Sequence, residues 1–135
     1  MQIRRRGFSL VEILVVVLIV SMLAALITPR IVERLRQAKV RIAKAKLAKV
    51  DMAVGEFYSD CGRLPTEGEW PGAMQEAPSD VQGKWNGAYL KEEDLVDPWG
   101  YAFQYRRSGG SFEVLSLGAD GKRGGEGENA DIGAK

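Results

Sequence analysis

A chain of 135 residues, 45% hydrophobic and 27% charged, has room for one modest domain beside a membrane segment. It carries no histidine and a single cysteine, Cys61, which removes most acid–base and nucleophilic catalytic constellations and rules out an intrachain disulfide. The net charge of +1 conceals a split: of 19 Lys/Arg and 18 Asp/Glu, residues 1–49 hold 11 and 2, so residues 50–135 hold 8 and 16.

The first element is an apolar run over residues 8–28, FSLVEILVVVLIVSMLAALIT, whose only charge is Glu12. About 20 apolar residues suffice to cross the bilayer hydrocarbon as a helix. A lone carboxylate there costs roughly 2.5–3.5 kcal/mol at the membrane centre and marks a functional position. Nothing else in the run offers Glu12 a partner. Before the run stands a hydrophilic leader with Arg4, Arg5 and Arg6, ending at Gly7. A secretory signal peptide carries its small-residue cleavage site after the apolar region; here the small residue precedes it. Cutting after Gly7 would leave a cationic amine on Phe8 and keep the helix, and that amine could pair with Glu12 of a neighbouring subunit.

Pro29 follows the run and is expected to bend or loosen the helix. Beyond it Val40, Ala43, Leu47, Val50, Val54 and Phe57 fall at spacings of three and four, one face of an amphipathic helix. The helix is therefore predicted from Phe8 to about Tyr58, its second half serving as the spine for a sheet. The basic residues Arg30, Arg34, Arg36, Lys39, Arg41, Lys44, Lys46 and Lys49 could suit nucleic acid or anionic lipid. With no aromatics interleaved to stack bases, a solvated face, or one packed on acidic neighbours, is the better reading. Gly55 sits in this helix against its propensity. Cys61 reads as a small buried residue at the helix end.

Residues 59–88 are rich in Gly, Pro and acids and predict a loop with short helical turns. Trp70 and Trp85 are expected to tuck it against helix or sheet. A short strand around Ala88, Tyr89 and Leu90, a tight Asp97-Pro98-Trp99-Gly100 turn with a buried aromatic, a strand over 101–105, a turn over 106–110 and a strand over 111–116 predict a small antiparallel sheet. The segment 117–133, LGADGKRGGEGENADIG, mixes glycines with Asp120, Glu126, Glu128, Asn129 and Asp131. Calcium accepts such mixtures of carboxylate and carbonyl oxygen, yet the spacing is not that of an EF-hand. Composition alone favours a solvated acidic tail.

The run Gly7-Phe8-Ser9-Leu10-Val11-Glu12 resembles the processing motif of type IV pilins and pseudopilins, and the D-P-W-G turn resembles the major pseudopilin family of type II secretion systems. The resemblance covers nearly the whole chain. It implies a leader over 1–7, a transmembrane and assembly helix over 8–29, and a periplasmic pseudopilin domain over 30–135. The fold it implies is α+β and pilin-like: a long N-terminal helix packed on a small antiparallel sheet, with a Gly/Asp-rich calcium-type C-terminal loop. A prepilin peptidase would cut between Gly7 and Phe8 and methylate the Phe8 amine, and Glu12 would serve assembly. One calcium ion would be held by the Leu117 carbonyl and the Asp120 and Asp131 carboxylates. Partners would be further copies in a homo-polymer, minor pseudopilins and the inner-membrane assembly platform, with no nucleic acid and no catalysis. Charge counting places the C-terminus in the cytoplasm; the leader motif, being more specific, places the domain in the periplasm. The alternative is a type IV pilin for adhesion, motility or DNA uptake. Many of those close a loop with a disulfide, which one cysteine cannot form.

Overall fold

The computed structural model describes residues 7–133; Arg4, Arg5 and Arg6 of the leader lie outside them. The chain divides into two compact units, Met1–Arg36 and Gln37–Lys135.

Helix α1 runs Leu10–Cys61, close to the predicted span, and keeps Pro29 inside it. In the first unit every described residue is exposed, including Leu14, Leu18, Leu23 and Leu26. This stretch is long and apolar enough to cross a membrane. Between Glu12 and Pro29 its two polar side chains are satisfied within the helix: the Ser21 and Thr28 hydroxyls donate to the carbonyls of Val17 and Ala24, each at 2.7 Å. Hydrocarbon offers no other acceptor, so self-satisfaction suits such a segment.

In the second unit α1 buries Ala43, Leu47, Val50, Ala53, Val54, Phe57 and Cys61, the predicted stripe extended by Ala53 to the helix end. These cluster with Leu64, Met74, Leu90, Leu95, Phe103, Val114 and Ile132. Burying a side chain such as Phe57, fully enclosed here, contributes about 1.5–3 kcal/mol. The loop after α1 holds one short helical turn, Gly72–Met74, and both tryptophans fasten it as expected. Trp70 stacks on Tyr105 at 5.0 Å and donates to the Phe103 carbonyl at 3.2 Å. Trp85 meets Tyr89 edge-on at 5.6 Å and donates to the Ala73 carbonyl at 3.0 Å.

The sheet is antiparallel in order β1-β2-β3, with β1 Gln104–Ser108, β2 Ser111–Ser116 and β3 Ile132–Gly133. It departs from expectation twice. First, β1 lies three residues later than predicted, because the turn is only Gly109-Gly110 and Ser108 already pairs with Ser111. Gly109 takes φ +59° at the first turn position, as a two-residue type II′ hairpin requires. Arg106 and Arg107 therefore stay in the ladder, where Arg106 faces Glu113. Second, residues 88–90 form no strand. Gly87 turns the chain at φ +114°, and Tyr89 and Leu90 both donate their N–H to the Met74 carbonyl. The third strand comes instead from the C-terminus, where buried Ile132 pairs with Ser116.

Candidate functional site

At the N-terminal site Gly7, Phe8, Ser9 and Glu12 are all exposed, Phe8 at 84%. Glu12 has a local partner that the apolar run did not suggest. Its carboxylate accepts the Ser9 N–H at 2.8 Å, and the Ser9 hydroxyl accepts the Glu12 N–H at 3.2 Å. This is a reciprocal capping box, which satisfies two of the orphan donors at a helix start. The S-x-x-E spacing was legible in the sequence; the expectation that nothing nearby serves Glu12 is corrected. A carboxylate in the first turn also suits the positive end of the helix dipole.

The second site is the C-terminal loop. Since Ser116 pairs with Ile132, antiparallel register brings Leu117 and Asp131 opposite each other at the loop's mouth. The arms are joined again where Ala119 N–H donates to the Glu128 carbonyl at 2.8 Å. Gly118 is pressed against this second arm at φ +73°: a Cβ there would lie 2.7 Å from the Glu128 carbonyl oxygen. Asp120 is exposed, and its Oδ1 accepts the Lys122 N–H at 3.1 Å. Thus the fold gathers Leu117 and Asp131, with Asp120 three residues into the loop. Among the described residues no group of three or more His, Cys, Asp or Glu side chains is placed to hold a metal. The donors here are backbone carbonyls and exposed carboxylates, a set that fits hard oxygen-seeking calcium and no soft metal.

Sequence reading missed the polar hub beneath this loop. Asp97, 3% exposed, accepts the N–H of Trp99 and Tyr101 on Oδ1 at 3.0 and 2.9 Å. Its Oδ2 accepts the buried Ser116 hydroxyl at 2.7 Å, and Ser116 Oγ in turn accepts Gly118 N–H at 3.2 Å. The D-P-W-G turn, with Trp99 packed half-buried on the core, is thereby tied to the strand that launches the loop.

The basic stretch of α1 also contributes inside its unit. Lys46 Nζ donates to the carbonyls of Glu93 and Val96 at 2.7 and 3.0 Å, and Lys49 pairs with Asp94 at 2.7 Å. The Lys49 hydrogen bond holds the Asp94 carboxyl below the usual range despite burial. Arg63 bridges Glu69 and Asp80 at 2.8 and 2.7 Å, lowering both carboxyls through its hydrogen bonds. Burial pushes the Tyr89 hydroxyl up to about 12. The Lys49 and Arg63 contacts are ion pairs that tie α1 and the loop after it to the rest of the unit.

Comparison with known proteins bears on the whole chain. Residues 30–135 match the family described as "Type II secretion system (T2SS), protein G", and residues 3–28 match the prokaryotic N-terminal methylation motif. The chain belongs to the type II secretion system protein G family. Its relatives include the type II secretion system core protein G of Pseudomonas aeruginosa, 42% identical over 96% of this chain and 94% of that protein. The core protein G of Vibrio cholerae is 33% identical over 96% and 91%. The fold is shared with a crystal structure of the major pseudopilin from the type 2 secretion system of enterohaemorrhagic Escherichia coli, at TM-score 0.56 and 24% identity over 72% of this chain and 86% of that one. Membership in this family, rather than a type IV pilin family, agrees with the reading from the D-P-W-G turn. It is a family of structural subunits.

Proposed function

We propose that this chain is the major pseudopilin of a type II secretion system, a non-enzymatic subunit that polymerises into a periplasmic pseudopilus supporting export of folded proteins. The observation that carries the reading is the exposed apolar first stretch of α1, headed by Gly7, Phe8 and Glu12, on a chain whose residues 30–135 match protein G. A prepilin peptidase cuts between Gly7 and Phe8 and methylates Phe8. The protein is then a single-pass inner-membrane precursor with its domain in the periplasm. Assembly moves the helix from lipid to other copies, with Glu12 meeting the Phe8 amine of a neighbour, alongside minor pseudopilins and the inner-membrane platform. Nucleic acid has no part in it.

One calcium ion belongs to this reading, held by the Leu117 carbonyl and the Asp120 and Asp131 carboxylates. Calcium supplies charge to bind the two loop arms together. Within the chain, the Asp97 and Ser116 hydrogen bonds fix where the first arm leaves β2.

The test uses cells that carry the secretion genes and lack this one. Supplying the chain should restore secretion, and intact mass spectrometry should find a mature N-terminus at Phe8 with one added methyl. Unrestored secretion, or a protein still beginning at Met1 beside an active prepilin peptidase, would sink the reading.

A further inference from the structure

Gly55 lies within α1, where glycine disfavours the helix relative to alanine. Nothing among the described residues requires it, since a Cβ at Gly55 would meet no atom of theirs within 4 Å. It floors a groove of about 280 Å³, walled by Asp51 and Tyr58 from the same helix flank and by Leu64 and Phe112 across from it. Tyr58 and nearby Met52 are 53% and 63% exposed. A second unexplained feature lies elsewhere on α1. Ile31 and Leu35, one turn apart, are 58% and 59% exposed, with exposed Arg34 between them in sequence. They lie past the roughly 20 residues that a bilayer covers.

We propose that the Gly55 groove receives the α1 face carrying Ile31 and Leu35 from a second copy of this chain, with Arg34 of that copy meeting Asp51. The proposal rests on the filament reading above and names a contact within it. A floor without a side chain lets a helix backbone come close. Apolar Leu64, Tyr58 and Phe112 match apolar Ile31 and Leu35, and the charges at the edge are opposite. A second copy is favoured over a foreign partner because the chain carries both halves of the contact. A groove on one copy filled by a different surface of the next is a heterologous interface, which repeats without self-pairing and builds an open helical filament wherever its rotation does not close into a ring.

The test uses the full chain in cells with the rest of the secretion machinery. Cysteines at 35 and 58 together (Leu35→Cys with Tyr58→Cys) should give a ladder of multimers with a short thiol cross-linker, and either alone should not. Gly55→Leu should abolish filaments sheared from the cells. The melting temperature of the full-length variant in detergent should stay level or rise, because leucine is the better helix former. The contact is refuted if Gly55→Leu assembles like the wild type, or if position 58 cross-links to another protein instead of a second copy. A wild-type chain that forms no filaments at all would overturn the filament reading and this contact with it. Wild-type filaments without the 35–58 ladder would overturn this contact alone.

Discussion

Within the one helix α1, no described residue up to Arg36 is buried, whereas seven are buried between Ala43 and Cys61. Both stretches are α-helical, apart from the N–H that Pro29 lacks in the first; the main difference lies in where the side chains go. The second stretch spends its apolar face at intervals of three and four on a core within the chain, and turns Lys46 and Lys49 onto the segment 93–96. Between Glu12 and Pro29 the first stretch carries no charge and is apolar all round, so no single face could satisfy it and only lipid or other helices can. Stability therefore belongs to the second region; on the filament reading the first serves assembly, joined there by the exposed Gly55 groove of the second. A substitution should move one property and spare the other.

The sharpest separation is expected from Phe57→Ala against Leu18→Ala. Emptying the Phe57 site should destabilise the domain by about 3–5 kcal/mol, read by denaturant unfolding of the full chain in detergent. Leu18→Ala should leave that transition unmoved, and a shared loss would break the comparison. Next is Asp97→Ala, which strands the Trp99 and Tyr101 amides and the Ser116 hydroxyl at roughly 3 kcal/mol, without affecting membrane insertion. Calcium should then stabilise the same domain by about 2.7 kcal/mol at 100 times its Kd, raising the melting temperature by several degrees. Asp120→Ala should remove that rise, and equal melting in chelator and in calcium would reduce the loop to a solvated tail.

Acid provides the smallest effect. The carboxyls of Asp94 and Glu69 are lowered by Lys49 and Arg63, so folding favours their charged forms. That contribution is complete above the unfolded values of about 3.9 and 4.3, and is lost as pH falls through the lower folded ones. Lys49→Met should flatten the Asp94 share of this acid limb, seen as a shallower fall in melting temperature below about pH 4. An unchanged slope would show that the pair contributes nothing to folding.

Sequence pattern sufficed wherever one local rule dominated. The stripe through Ala43, Leu47, Val50, Val54 and Phe57 came from helical period alone, and β2 from its alternation. The tryptophan anchors followed from large rings in a loop. What escaped depended on contacts distant in sequence. The strand at Ile132 exists because Ser116 offers a free edge 16 positions earlier, and no window around residues 132–133 carries that. β1 was displaced because a glycine pair made the turn tighter than the turn-forming residues suggested. Asp97 read as a turn residue, and its second oxygen finds Ser116 only in the fold. Of the candidate site, the positions of Leu117 and Asp131 came from resemblance, and their facing each other follows from β3. The Ser9 and Glu12 box is a local signal that was overlooked, and so is the same reciprocal pairing of Thr66 and Glu69.

The capping box gives Glu12 enough to start the helix, so insertion should not depend on its meeting another subunit. The decisive measurement is the ratio of sheared filaments to membrane-inserted subunit for Glu12→Ala in secretion-competent cells. Insertion at the wild-type level with filaments lost is the predicted result. Filaments at the wild-type ratio would contradict the claim that the first half of α1 is completed by other copies through Glu12.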